Sequence, residues 1–225
     1  MKTLSKAVAV ASLLSAGVMG AQVANAEVSF NAAAVSDYVW RGQTQNDNGF
    51  ALQGGADYYD QSGLSAGIWA STVYLDADED EEEDFIEVDL YASYGFDLGG
   101  VDASFGFINY QYDESDSSSE VNASVAKDAF SAMASVAVDA DDDEGYTYLE
   151  GSYGAQLPED LSLDLTLGYN IPEASAADES LDFTAVLSKS LAQVDVALGV
   201  AWVSEERTDD DDSETVAFLA VSKEF

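Results

Sequence analysis

The 225-residue chain carries 44 acidic residues against 7 basic ones, with no cysteine and no histidine, for a formal net charge of −37. That balance excludes nucleic-acid binding, which needs a basic face to neutralise phosphates. The missing Cys and His exclude disulfides, thiolate and imidazole metal sites, and any mechanism with a Cys nucleophile or His base. Apolar residues make up 47% of the chain and aromatics 11%, too many for a disordered polyanion.

In chain order, Lys2 and Lys6 open a positive segment, an apolar run follows from Ala7 to Gly20, and Ala24-Asn25-Ala26 supplies a small-x-small cleavage pattern. Residues 1–26 therefore read as a secretory signal peptide, leaving one domain over 27–225. That domain keeps Arg41, Lys127, Lys189, Arg207 and Lys223 against all 44 acids, a formal charge of −39. No later apolar stretch has the length of a transmembrane helix. A membrane-crossing chain must then close as a sheet.

Period-two alternation dominates residues 27–225, as in Leu161, Leu163, Leu165, Leu167 and Tyr169 against Ser162, Asp164, Thr166 and Gly168. It predicts twelve strands near 28–41, 50–59, 63–75, 85–96, 101–112, 120–126, 129–138, 145–154, 161–169, 180–188, 194–203 and 215–225. Connections alternate between short turns (60–62, 97–100, 127–128, 155–160, 189–193) and mostly longer polar loops (42–49, 76–84, 113–119, 139–144, 170–179, 204–214). Those loops hold 27 of the 44 acids, most densely in DADEDEEED (76–84) and at Asp209–Asp212. The expected fold is an all-β, antiparallel up-and-down transmembrane barrel of about twelve strands, with short periplasmic turns and acidic extracellular loops. An even strand count places both termini in the periplasm.

The apolar set of each strand should face lipid, with Phe30, Tyr38, Trp40, Phe50, Tyr58, Tyr94, Phe96, Tyr169 and Trp202 forming interfacial girdles. The other set lines the lumen: Asp37, Asp57, Glu87, Asp89, Glu150, Asp164, Asp182 and Asp195, with Arg41 as its one basic member. Arg41 could pair with lumen carboxylates or a passing anion, and pairing with Asp37 or a neighbouring strand is the expected arrangement. A lumen of one sign favours cations. The same carboxylates could equally hydrate a narrow, plugged interior. The final strand, VAFLAVSKEF (216–225), ends on an aromatic as barrel-insertion signals do, although Lys223 puts a charge where an apolar residue is usual.

A more specific signal lies in VSDYVWRGQTQNDNGFALQGGADY (35–58) and SGLSAGIWASTV (62–73). The elements Asp37-Tyr38, Arg41-Gly42, Thr44-Gln45, Ala51, Gln53-Gly54 and Gly67-x-Trp69 resemble the TorF family of proteobacterial outer-membrane proteins, proposed porins of unknown function. Phe50 stands where such sequences often carry proline. The resemblance covers roughly residues 28–75 and implies an outer-membrane barrel with a pore; it supplies no substrate.

Catalysis finds little support. Glu87 and Asp89 have the residue types of a glycosidase pair, but nothing marks one as the acid. Asp139-x-Asp141-x-Asp143 with Glu150 at the twelfth place echoes a calcium loop, yet Gly145 is one position late and the flanks are strands. No cofactor and no dedicated metal site are expected. The sequence reads as an outer-membrane barrel passing small solutes with a cation preference. Its expected partners are membrane lipid, lipopolysaccharide, small solutes or cations, and the barrel-insertion machinery. Two alternatives stay open: a non-conducting structural or adhesive barrel with divalent-cation-binding loops, and a secreted calcium-binding β-sandwich.

Overall fold

The computed structural model describes residues 26–76, 82–113, 117–138, 145–173, 179–204 and 213–225. The signal-peptide segment before Ala26, the most acidic loop stretches and the Asp139–Asp143 motif lie outside those residues. The strands are β1 (Glu27–Val35), β2 (Val39–Trp40), β3 (Gln43–Thr44), β4 (Ala51–Tyr59), β5 (Leu64–Asp76), β6 (Glu82–Asp97) and β7 (Asp102–Tyr112). They continue as β8 (Ser118–Lys127), β9 (Phe130–Ala137), β10 (Tyr146–Leu157), β11 (Leu161–Pro172), β12 (Ser180–Leu191), β13 (Val194–Val203) and β14 (Glu214–Glu224).

β1 and β4 to β14 form a closed, antiparallel twelve-stranded barrel in which neighbours in sequence are neighbours in space. β1 closes it, pairing β4 on one edge and β14 on the other, from Asn31↔Glu224 to Val35↔Ala220. Phe30 and Phe225 extend that seam with two backbone hydrogen bonds, of 3.3 and 2.8 Å. Closure leaves no unpaired sheet edge.

The short turns all fall at the end that carries Glu27 and Phe225, as their spacing predicts. Local chemistry holds the first two. The Ser62 amide donates to the Asp60 carboxylate at 2.7 Å, and this bonding holds the Asp60 carboxyl below its ordinary range. The Asp97 carboxylate accepts the Gly99 and Gly100 amides at 3.0 and 3.1 Å.

Alternation sorts the side chains by face. Phe30, Leu52, Ile68, Leu90, Leu167, Leu198 and Leu219 are exposed on the outside, while Ser29, Gln53, Ser71, Glu87, Asp89 and Asp182 are buried inside. Such an outer belt needs an apolar medium to cover it. Of the expected girdle aromatics, Phe30, Phe50, Tyr58 and Tyr94 are exposed on this surface. Phe96 stacks outside between Tyr94 and Phe105. Tyr169 and Trp202 share the outward parity, in register with Leu149 and Phe183 respectively.

The first predicted strand, 28–41, needs correcting. It ends at Val35, because Ser36 turns the chain out of the wall. The Ser36 amide donates to the Leu219 carbonyl, and its hydroxyl accepts the Leu219 amide, both at 2.8 Å. Residues 37–49 then fold into the barrel around the small hairpin of β2 and β3. Tyr38 and Trp40 therefore face the lumen rather than a lipid girdle.

The belt gives a direct test. Placing arginine at Leu219, midway along β14 on the outer face, should lower the folding stability in lipid vesicles by about 2–4 kcal/mol. Urea titration of vesicle-embedded protein measures it; a cost near zero would mean that this face does not meet hydrocarbon.

Candidate functional site in the barrel lumen

The infolded segment is built from its own sequence. Arg41 and Gly42, at φ 48 and 84, form the two-residue turn between Trp40 and Gln43. Positive φ at both central positions is the hairpin turn that matches strand twist. Gly42 is required for a second reason. A Cβ there would come within 2.7 Å of the Asp182 Cβ and 3.0 Å of the Trp202 carbonyl, so the hairpin tip rests against β12 and β13. At its base the Thr44 hydroxyl donates to Asp37 at 2.6 Å and accepts the amides of Asn46 and Asn48. Asn46 ties the segment to β5 through the Thr72 carbonyl at 3.2 Å.

Three aromatic and charged side chains of the segment reach different walls. Tyr38 donates to Glu87 on β6 at 3.1 Å and meets Trp69 of β5 edge-on. Trp40 packs edge-on against Tyr110 of β7. Arg41 bridges to Glu120 on β8 at 2.8 Å, with its guanidinium carbon 4.2 Å from the Trp40 ring centre and 4.0 Å from that of Tyr148 on β10. Tyr146 contributes a third ring at 5.4 Å and donates its hydroxyl to Glu120. The expected Arg41–Asp37 pairing is replaced by a bond that crosses to the far side of the barrel from β1.

The lumen has two unlike walls. Val35, Ala51, Trp69, Val73, Ala197, Ala201, Val216, Phe218 and Ala220 pack with Tyr38 and Val39 into an apolar cluster along β1, β4, β5, β13 and β14 that reaches Phe85 of β6 and Val186 of β12. At the level of the hairpin, β6, β7, β8, β10 and β12 turn Glu87, Asp89, Tyr110, Glu120, Tyr148 and Asp182 inward. Asp182 on β12 accepts the Tyr148 hydroxyl at about 3 Å. Gly168 on β11 makes room for that pair, since a Cβ there would strike both groups. The inward set is thus polar over part of the wall and apolar over the rest.

All the predicted lumen residues point inward, at different depths. Asp37, Arg41, Glu87, Asp89 and Asp182 gather with Glu120 at the level of the hairpin. Asp89 there is fully buried, Glu87 and Glu120 are each 2% exposed, and both oxygens of Asp89 lack a hydrogen-bond partner among the described residues. Glu150 lies one inward position below Tyr148 and accepts Ser152 at 3.0 Å. Towards the turn end, Asp57 accepts Tyr91 at 2.5 Å and Asn31 at 3.2 Å. Asp164 and Asp195 sit at the same end, the latter accepting Ser190. Sequence reading missed Glu120, Tyr110, Tyr146 and Tyr148; inward parity alone could have proposed them.

A family model described as a bacterial protein of unknown function, Gcw_chp, matches residues 20–223. The chain belongs to the Gcw_chp family. No curated protein sequence matches it. Among solved structures, the KdgM porin is similar at TM-score 0.57 and 11% identity, covering 88% of this chain and 99% of that one. The NanC porin gives 0.57 and 10% over the same shares. An outer-membrane channel from Pseudomonas putida F1 gives 0.56 and 13%, covering 93% of this chain and 98% of its own. At these identities the likeness establishes the Gcw_chp chain's fold, a twelve-stranded barrel of the outer-membrane type.

The Arg41–Glu120 bond predicts its own energetics. Glu120→Gln would strand a buried guanidinium and should destabilise the barrel by about 3–5 kcal/mol, whereas an Arg41→Met/Glu120→Leu double substitution should recover most of that loss. Urea unfolding of the three variants in vesicles measures both. A double variant as unstable as the single would show that the pair is not coupled.

Proposed function

We propose that this Gcw_chp protein is an outer-membrane porin giving passive, cation-preferring passage to small solutes, with residues 37–49 setting its constriction. The observation that carries this reading is the sign of the inner wall. Asp57, Glu87, Asp89, Glu120, Glu150, Asp164, Asp182 and Asp195 face inward, and the guanidinium of Arg41 is already matched to Glu120. Net negative potential in a low-dielectric channel concentrates cations and repels anions. The resemblance of Asp37-Tyr38 and Arg41-Gly42 to the TorF proteins supports the same reading, as does the fold shared with the KdgM and NanC porins and the Pseudomonas putida channel.

In this reading the turn end, with both termini, faces the periplasm, the long acidic connections face outward, and the mature domain begins at Glu27. Lipid covers the outer belt, and β14 presents the final strand to the insertion machinery. Lipopolysaccharide meets the outer loops, where divalent cations could bridge its phosphates to carboxylates. Planar-bilayer recording under a potassium chloride gradient tests the proposal. The expected result is discrete channels with a cation-selective reversal potential that weakens in Asp195→Asn; anion selectivity would contradict it.

A second reading, a non-conducting structural or adhesive barrel, is favoured by one observation. At the hairpin level Asp89 is fully buried and Glu87 and Glu120 nearly so, so the lumen is filled there. Such a protein would show heat-modifiable gel mobility and no channels.

A further inference from the structure

Arg41 sits in an environment with the chemistry of a ligand site. Its guanidinium carbon lies 4.0 Å from the Tyr148 ring centre, 4.2 Å from Trp40 and 5.4 Å from Tyr146. Glu120 closes the cage with one ion pair at 2.8 Å. Aromatic faces around a carboxylate select cations, and flat faces suit a planar one. The Arg41 side chain is 7% exposed, yet its Nε and Nη1 atoms have no hydrogen-bond partner among the described residues. Part of its donor fork is therefore unused, where arginine–carboxylate pairs are frequently bidentate.

The tether is also unfavourable for its occupant. Arg41 holds a left-handed backbone conformation uncommon for a side chain of its size. The strands that carry it, β2 and β3, are two residues each. Arg41 thus resembles a tethered ligand, held in the cage by proximity and leaving part of its donor set unused.

We propose that the cage of Trp40, Tyr146, Tyr148 and Glu120 is a binding site for small planar organic cations of the guanidinium class, occupied in the resting protein by the chain's own Arg41. This rests on the porin reading for its consequence: such cations would be solutes of the pore, and their binding would displace the Arg41 side chain from Glu120 and Tyr148 while Trp40 stays against Tyr110. A free guanidinium has no backbone strain and can turn its whole donor set to the cage. An anion would meet Glu120 and be repelled.

The test is calorimetric titration of methylguanidinium into the folded barrel in detergent micelles, with heat-modifiable mobility as the folding control and sodium chloride at equal ionic strength as the reference. Wild type should bind saturably. Arg41→Ala should bind at least about tenfold more tightly, because the tethered competitor, present at high effective concentration, is gone. Adding Tyr148→Leu or Glu120→Gln to Arg41→Ala should abolish that gain; either suffices if the other does not fold. No saturable binding to wild type, or no gain in Arg41→Ala, would overturn the proposal. Binding without channel activity would reject the porin reading and leave the site standing, whereas channels without binding would do the reverse.

Discussion

The interior of this barrel is organised by one ion pair between residues 79 positions apart, Arg41 and Glu120. Among the lumen residues described, the guanidinium is the cation set against a wall of carboxylates. Placing it inside is costly unless it is matched, since desolvating an ion outweighs most single contacts. Glu120 and three aromatic rings supply the match. They also fix the position of the hairpin that carries Arg41, and through it the filling of the lumen.

The two walls follow from the same constraint. Tyr38 and Val39 join an apolar cluster to which β1, β4, β13 and β14 contribute inward alanine and valine, while Tyr38 also meets Trp69 of β5 and Glu87 of β6. Trp40 and Arg41 need ring faces and a carboxylate, which β7, β8 and β10 provide. Gly42 lets the tip touch β12 and β13 without displacing Asp182.

The barrel itself is legible in the sequence because its two surroundings impose opposite demands on alternate residues. In β11 the Leu161–Tyr169 set and the Ser162–Gly168 set leave no doubt about phase. The exit of residues 37–49 is not legible, for a related reason. Val35, Asp37, Tyr38, Val39, Trp40 and Arg41 run on with no break in composition at the point where Ser36 leaves the wall, so Tyr38 and Trp40 read as girdle residues. The turn chemistry of Arg41-Gly42 and Asp47-Asn48-Gly49 is the available signal, and an outer loop accounts for it equally well. β14 hides the apolar wall differently, carrying Val216, Phe218 and Ala220 inside as well as Ala217, Leu219 and Val221 outside. The partner of Arg41 is beyond reach, because barrel curvature and register, not local pattern, bring Glu120 opposite it.

The infolded hairpin, held by Arg41 and Glu120, fills the barrel towards the end opposite the short turns, where it meets Glu120, Tyr148, Asp182 and Trp202. Single-channel recording of a variant with residues 38–45 replaced by a short glycine-serine link tests this most directly, because the wall strands are left intact. The predicted result is a unit conductance severalfold above that of the unaltered protein, with cation preference retained from the wall carboxylates. A conductance unchanged by the replacement would contradict it.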